Sequence, residues 1–211
     1  MLSKNLTKYL HSLQIKKYRQ ENNAFLVEGA KSVLELLGSD FQTDLVVVTD
    51  LFYKENTQIL EKQSFRLEIA TADELSRAGT LQTNDAALAV VKTKDNDFLY
   101  AQPGEYALIL DDIRDPGNLG TIIRIADWYG ISKIICSLTT TEWYNPKVIA
   151  ASKGSFTRVR GYYTELTAYL EKVRNMKHGT RIYGTFLEGK NIHQTTFNDT
   201  GYIVMGNESI G

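Results

Sequence analysis

The hydrophobic pattern changes repeatedly along the chain between short apolar runs and stretches with helical spacing. Runs such as LVVVTD (residues 45–50) are typical of strands that are covered on both faces of a sheet. They alternate with amphipathic stretches such as KSVLELLGS (31–39), in which Val33, Leu34 and Leu37 fall on one helical face. Strands that alternate with helices in this way predict an α/β layered fold.

A polar segment, KTKDNDFLYAQPGE (92–105), divides this pattern into two halves. It is rich in charge and contains Pro103 and Gly104, so we predict a linker over residues 94–105. A second alternation of strands and helices begins after it with the apolar run YALILDDI (106–113). The sequence therefore predicts two α/β domains in series, over residues 1–93 and 106–211.

Composition limits the classes of protein to which the chain can belong. With 43% hydrophobic and 23% charged residues and a net charge of -1, it is typical of a globular protein, and only a local basic patch would suit nucleic acid. No apolar run approaches the roughly 18 residues of a membrane span, and no signal peptide is evident, so we expect a cytoplasmic protein. The single cysteine, Cys136, is predicted to be buried, and the scattered histidines predict no metal site.

The stretch DDIRDPGNLGTIIRIADWYG (111–130) contains a strand exit, a turn and a helix. We expect Asn118 to be the N-cap of the helix and Arg124 to point away from its buried face. On spacing alone, the simpler interpretation is favoured, in which Asn118 is only a cap and Arg124 is only a solvated surface charge. The functional interpretation rests on location, because ligands gather beyond the carboxyl ends of strands in open α/β sheets. The predicted buried stripe is Leu119, Ile122, Ile123 and Ala126.

Two basic clusters occur in this otherwise neutral chain. One lies at the N-terminus, and the other is WYNPKVIAASKGSFTRVRG (143–161), where aromatic residues are interleaved with cations. That combination suits RNA, because phosphates attract cations and unstacked bases stack on rings. The alternative is a solvated surface with buried aromatic residues. The candidate RNA-binding residues are Lys16, Lys17, Arg19, Lys31, Lys147, Lys153 and Arg158.

Three segments in order, DPGNLGTIIRIAD, YNPKVIAASKGS and IVMGNE, resemble the SpoU (TrmH-like) branch of the SPOUT RNA methyltransferases. The block KKYRQENNAFLVEGAKSVLEL resembles the small RNA-binding α/β domain that precedes the catalytic domain in many members. The resemblance spans nearly the whole chain. It implies an enzyme that methylates a ribose 2′-hydroxyl of rRNA or tRNA with S-adenosylmethionine. It also implies a homodimer and an α/β catalytic domain with a C-terminal trefoil knot.

The resemblance also assigns site residues. It implies that Asn118, Arg124 and Glu208 are catalytic. Arg124 is either the base for the hydroxyl proton or, since a guanidinium is normally always protonated, an electrostatic stabiliser of the alkoxide. The residues that it places against the cofactor are Thr185, Leu187, Gly206 and Asn207.

The chain also departs from the family pattern. Ser209 follows Glu208 where the family has glycine, the LQTNDAALAVV segment lacks the usual Pro-Gln-Gly type turn, and the third family motif is absent. We therefore expect the natural protein to continue beyond Gly211, and residues 1–211 alone to bind little cofactor. The alternative function is a non-catalytic RNA-binding protein of the same fold. A dinucleotide-binding Rossmann domain is disfavoured, because no G-x-G-x-x-G follows a strand.

Overall fold

A computed structural model describes residues 1–62, 64–176, 181–186 and 188–207. The chain divides into two compact units. The first unit contains Met1–Lys94 and Tyr144–Thr157, and the second contains Asp95–Trp143 and the chain from Arg158 onward. The second unit thus includes most of the stretch that was predicted to be a linker.

Helices and strands follow one another much as the hydrophobic pattern predicts. In chain order they are α1 (Lys4–Ser12), α2 (Lys16–Asn22), β1 (Ala24–Glu28), α3 (Ala30–Leu37), β2 (Thr43–Val48), α4 (Asp50–Leu60), β3 (Arg66–Ile69), α5 (Ala72–Ala78), β4 (Ala87–Lys92), β5 (Tyr106–Leu110), α6 (Pro116–Trp128), β6 (Lys133–Ser137), α7 (Pro146–Ser152), β7 (Arg160–Thr164), α8 (Leu166–Arg174), β8 (Arg181–Gly184) and β9 (Gly201–Met205). Short 3-10 turns lie at Ser155–Thr157 and Ile192–Gln194.

The first unit is built on a four-stranded sheet with the order β1-β4-β2-β3. Strand β4 is antiparallel to both β1 and β2, and β3 is parallel to β2. Alternate residues of β1 enter different cores: Phe25 and Val27 pack with residues of α3 and α4, whereas Ala24 and Leu26 pack with residues of α1 and α5. Helices cover both faces of the sheet, which explains why β1, β2 and β4 contain continuous apolar runs, whereas edge strand β3 (RLEI) is only partly buried.

The aromatic residues of the second basic cluster are structural. Phe156 and Ile149 of α7 belong to the same core as Phe25. The Phe25 ring centroid lies 6.0 Å from that of Phe156 and 4.4 Å from that of Tyr144. For these rings the structure supports the alternative of buried aromatic residues beneath a solvated surface.

Arg19 is buried, against the expectation that it contacts RNA. The predicted N-terminal helix is interrupted between α1 and α2, and the Arg19 side chain binds the loop that joins them. Its Nη1 atom donates to the carbonyl of Leu13 at 3.0 Å and to that of Gln14 at 2.8 Å. Only 3% of the residue is exposed. The assignment of Arg19 as an RNA contact is therefore wrong, and its side chain instead stabilises the loop between α1 and α2.

The second unit contains a five-stranded sheet with the order β7-β6-β5-β9-β8, in which every neighbouring pair is parallel. Strand β7 was not predicted, because its residues, RGYYT, are only partly buried and form no continuous apolar run. A central core on this sheet joins residues of β5, β6 and β9 to residues of α8. Its buried members are Ala101, Ala107, Ile109, Ile135, Tyr169, Val173 and Tyr202.

The predicted linker packs against the second sheet. The Asn96 side chain donates to the carbonyl of Tyr163 and accepts from its amide, both at 2.8 Å, as a neighbouring strand would. Further along, the amide of Ala101 donates to the hydroxyl of Tyr202 at 3.0 Å. The segment is polar because one side of it faces solvent, and it still contributes apolar residues to the core of the second unit.

Replacement of Arg19 by alanine should destabilise the protein by about 2–3 kcal/mol, because two buried carbonyl groups would lose their charged donor. Urea unfolding of the full chain measures this loss. Lys17→Ala, on the exposed face of the same helix, is the matched control and should change stability by less than about 0.5 kcal/mol. Equal stability of Arg19→Ala and wild type would contradict the structural role.

Candidate functional site

The carboxyl ends of three neighbouring strands meet at one edge of the second sheet. Strand β9 lies between β5 and β8 and is parallel to both. In the register, Leu110 pairs with Met205, and Gly184 pairs with Val204. The segments that follow these strands therefore lie next to each other, at the edge where open α/β sheets bind ligands.

The exit of β8 brings Thr185 to this edge. The Thr185 amide and hydroxyl both donate to the carbonyl of Val204, each at 3.1 Å, which ties the exit to β9. The next residue, Phe186, is 77% exposed, and its ring lies over Gly184, where a larger side chain would collide with it. The edge thus offers an exposed aromatic surface beside Thr185. Leu187, the other residue that was assigned here, lies outside the described residues.

The exit of β9 is held by a residue that sequence reasoning missed, Asp112. Asn207 donates from its amide nitrogen to the Asp112 carbonyl at 3.0 Å and to Asp112 Oδ2 at 3.1 Å. The other carboxylate oxygen, Oδ1, accepts from Arg114 Nε at 2.9 Å. The Arg114 guanidinium is the largest of several partners that lower the pKa of the Asp112 carboxyl below its usual value. Glu208 lies outside the described residues.

A group of hydroxyl side chains supports Asp112 from the end of β6. Ser137 Oγ accepts from the Asp112 amide at 2.9 Å and lies 3.0 Å from the hydroxyl oxygen of Thr140. Thr140 in turn accepts from the amide of Ile113 at 3.3 Å. Both hydroxyl residues are buried. The run SLTTT directly after an apolar strand was the sequence signal for this support.

Helix α6 begins earlier than predicted, and Asn118 is not its cap. The N-cap is Asp115, whose carboxylate accepts from the amide of Asn118 at 2.7 Å, and Pro116 is the first residue of the helix. The Pro-Gly pair was interpreted as a turn, but proline is also favoured at the first helical position. Asn118 instead lies, exposed, in the first turn of α6 at the carboxyl end of β5.

Arg124 is exposed on α6, as its spacing predicted. The buried face of the helix consists of Leu119, Gly120, Ile123 and Ala126. Arg124 lies about 9 Å further along the helix axis than Asn118 and about 120° around it. Because helical side chains lean toward the N-terminus, Arg124 leans back toward the edge of the sheet. Within the described ranges, no ion pair engages its guanidinium.

The candidate RNA-binding residues belong to both units. Arg158, in the second unit, forms a two-pronged ion pair with Asp127 of α6, with Nε–Oδ1 and Nη2–Oδ2 distances of 2.9 and 2.8 Å. It therefore braces the helix that carries Arg124. The remaining candidates are exposed residues of the first unit: Lys16, Lys17, Lys31, Lys147 and Lys153.

The described part of the chain shows neither a metal site nor a membrane span. No group of three or more His, Cys, Asp or Glu side chains there could hold a metal ion. None of the helices in that part has the length and apolar composition that crossing a membrane requires. Cys136 is buried, and burial raises the pKa of its thiol to about 12, so it is not poised as a nucleophile.

The second unit is an open parallel α/β sheet with the candidate site at the carboxyl ends of its strands, and the first unit is an α/β domain with a four-stranded sheet. The chain is thus a two-domain α/β protein of a ligand-binding type. Two family models identify it further. The SpoU rRNA methylase family model matches residues 105–211, and the MRM3-like substrate binding domain model matches residues 4–89. The chain belongs to the SpoU rRNA methylase family.

Similar proteins agree with this family. The chain is 27% identical over 202 residues to the 23S rRNA (guanosine(2553)-2′-O)-methyltransferase RlmP of Bacillus subtilis, covering 94% of this chain and 77% of that protein. It is 30% identical to a solved TrmH-family protein of Porphyromonas gingivalis, with a TM-score of 0.86 over 100% of this chain and 83% of that one. The AdoMet-bound rRNA methyltransferase of Sinorhizobium meliloti gives 25% identity and a TM-score of 0.86, covering 100% of this chain and 81% of that one. The predicted fold class, a small N-terminal α/β domain followed by a SPOUT α/β domain, is confirmed.

The described residues fit S-adenosylmethionine, the cofactor of this family. A nucleoside needs an apolar surface for its base and accessible backbone for its polar atoms. The exposed ring of Phe186 would supply the first, and the partly exposed Gly206, which has no side chain of its own, would suit the second. Asn207 adds a side-chain amide at the same edge.

The N-cap of α6 gives a stability prediction for this site. Asp115→Ala should lower the free energy of unfolding by about 1 kcal/mol, because the amide of Asn118 would lose its acceptor at the start of the helix. Asp115→Ser retains an acceptor and should recover most of that loss. Denaturant unfolding of both variants tests the assignment, and an unchanged midpoint for Asp115→Ala would refute it.

Proposed function

We propose that this protein transfers a methyl group from S-adenosylmethionine to a ribose 2′-hydroxyl of ribosomal RNA. The observation that carries the proposal is the match of the SpoU family model to residues 105–211. In this region α6 starts at the carboxyl ends of the parallel strands, where open α/β sheets bind ligands. Ribosomal RNA is proposed because two relatives, RlmP of Bacillus subtilis and RlmB of Neisseria meningitidis, are named as 23S rRNA 2′-O-methyltransferases. The RNA-binding alternative without catalysis is not favoured by these relatives.

The chemistry gives Arg124 an electrostatic role. The cofactor supplies an electrophilic methyl group on a sulfonium, and the ribose oxygen must approach it in line. As the oxygen bonds to the methyl carbon, the bond from that carbon to the sulfonium sulfur breaks and S-adenosylhomocysteine is left. The hydroxyl proton passes to solvent water, and the oxygen becomes more negative as that proton leaves. A guanidinium stays protonated at neutral pH and cannot accept that proton, but it stabilises the developing alkoxide or binds the adjacent phosphate. We therefore assign Arg124 as the stabiliser of the reacting oxygen and not as its base.

The other assignments follow the family motifs. Asn118, in the first turn of α6, would orient the ribose or Arg124, and Glu208 would orient a neighbouring group. Thr185, Leu187, Gly206 and Asn207 would line the cofactor. Exposed lysines of the first unit would bind RNA phosphates, whose attraction for cations needs no base contact. These lysines are Lys16, Lys17, Lys31, Lys147 and Lys153.

Arg124→Ala in the full-length protein should lower the rate constant of methyl transfer at least about 100-fold, as loss of an oxyanion stabiliser does. The assay is transfer of labelled methyl groups to unmodified 23S rRNA made by transcription, followed by mapping of 2′-O-methyl positions. Binding of S-adenosylhomocysteine, measured by calorimetry, should be unchanged.

Arg174→Ala, which removes an exposed arginine from α8 of the same unit, is the matched control and should retain activity. Full activity of Arg124→Ala would refute the role of Arg124. Failure of the wild-type protein to methylate any ribosomal or transfer RNA would refute the proposed function itself.

We also propose that the protein acts as a homodimer, as the family resemblance implies. The solvent side of α6 and its C-terminal end expose three large apolar residues, Ile125, Trp128 and Tyr129, and Trp128 is 84% exposed. Such a cluster is costly to leave in water. Because α6 also carries Arg124, a second copy on this face would bring two candidate sites close to the interface.

Trp128→Glu should shift the protein from dimer to monomer in size-exclusion chromatography with light scattering, because it places a charge in the apolar interface. Leu51→Glu, at an exposed apolar position of α4 in the first unit, is the control and should leave the mass unchanged. A monomeric wild-type protein, or a Trp128→Glu variant that remains dimeric, would contradict this interface.

A further inference from the structure

Asp112 adopts a backbone conformation that few residues other than glycine adopt. It directly follows Asp111, the first residue after β5, and its φ is 56°, in the left-handed region. Glycine would adopt this conformation without strain. Aspartate tolerates it better than most residues, because its short polar side chain can form hydrogen bonds nearby. Asp112 is also absent from the set of residues that the family motifs assign.

The contacts of Asp112 join three strand exits. Its amide donates to Ser137 Oγ at the end of β6. Its carbonyl and Oδ2 accept from the Asn207 amide beyond β9, and its Oδ1 accepts from Arg114 in the loop before α6. The Asp112 side chain is only 18% exposed, whereas that of Arg114 is 72% exposed. The carboxylate is therefore held from both sides within the loop.

The position of Asn207 depends on this bridge. Backbone pairing between β5 and β9 is continued by the hydrogen bond from the Asp111 amide to the Met205 carbonyl, at 2.9 Å. Beyond that bond, the two strand exits are joined by the side chain of Asn207, which donates to the carbonyl and to the carboxylate of Asp112. Asp112 and Asn207 are 95 positions apart in the chain, so nothing local fixes one against the other.

We propose that Asp112 is a positioning residue that holds Asn207 and the β9 exit in the conformation that binds the cofactor. Arg114 contributes by fixing the carboxylate from the other side. The inference rests on the proposed function for the identity of the cofactor. Beyond the proposed function, it states that the affinity for the cofactor depends on the carboxylate of Asp112, in the loop between β5 and α6.

The test compares Asp112→Gly with Asp112→Asn in the full-length protein. Glycine retains the backbone conformation and removes the carboxylate, so binding of S-adenosylhomocysteine should weaken roughly tenfold while the unfolding midpoint stays the same or rises. Asparagine has one acceptor oxygen in place of two and should give an intermediate affinity. Asn23→Gly, at another left-handed position (φ 46°) in the first unit, is the matched control and should not alter binding.

Two further readouts separate positioning from a purely structural role. In Asp112→Gly, the KM for S-adenosylmethionine should rise about as much as the dissociation constant, whereas kcat at saturating cofactor should change less than about twofold. In the cofactor-free protein, amide hydrogen exchange should accelerate in residues 201–207 and remain unchanged in β6 and β7.

Wild-type affinity together with wild-type exchange in Asp112→Gly would overturn the inference, and the proposed function would still stand if the wild-type protein methylates RNA. A wild-type protein that neither binds the cofactor nor methylates RNA would instead refute the proposed function. In that case the exchange measurement still decides whether Asp112 holds the β9 exit: unchanged exchange overturns the positioning role, and accelerated exchange supports it.

Discussion

The parallel pairing of β5 with β9 is the constraint on which the candidate site depends. It places Leu110 beside Met205, residues that are far apart in the chain, and leaves their two exits at the same edge of the sheet. Helix α6 can then start at this edge, because Pro116 follows the β5 exit closely. In the proposed site, the cofactor side would come from the exits of β8 and β9, and the catalytic side from α6 after the loop that follows β5. Without this pairing the family motifs would be separate segments of chain.

Periodicity was sufficient to predict most of the fold, because strands covered on both faces must be apolar and surface helices must be amphipathic. The outward direction of Arg124 followed from the same rule and is confirmed. Periodicity did not predict edge strand β7, because this half-exposed strand has no continuous apolar run. It did not predict the start of α6 either, for a different reason. Asp115, Pro116 and Gly117 satisfy the preferences of a turn and of a helix N-terminus equally well, and only the carboxylate–amide bond from Asp115 to Asn118 decides between them.

Charge in the sequence did not reveal which cations are available to a ligand. Arg19 and Arg158 were predicted to bind RNA together with five lysines. Arg19 is instead buried against carbonyl groups, and Arg158 forms a two-pronged ion pair with Asp127. The planar guanidinium can satisfy several acceptors at once, so arginines often fasten a fold. A flexible, strongly hydrated lysine ammonium gains less from such a position and stays at the surface. In this set, both arginines are engaged within the fold and the five lysines are exposed.

The two sides of the site are held in different ways, and this matches what the chemistry needs. Arg124 belongs to a helix that is capped by Asp115 and braced by the Asp127–Arg158 pair, so the backbone that carries it is fixed before the substrate arrives. Electrostatic stabilisation depends on such preorganisation, because a charge that has to reorganise during the reaction gives up part of its benefit. Asn207 follows β9, and its side chain donates to the carbonyl and to the carboxylate of Asp112 across the strand exits. A loop held by polar contacts of this kind can open at smaller cost than a packed core, which suits a cofactor that must enter and leave in every catalytic cycle.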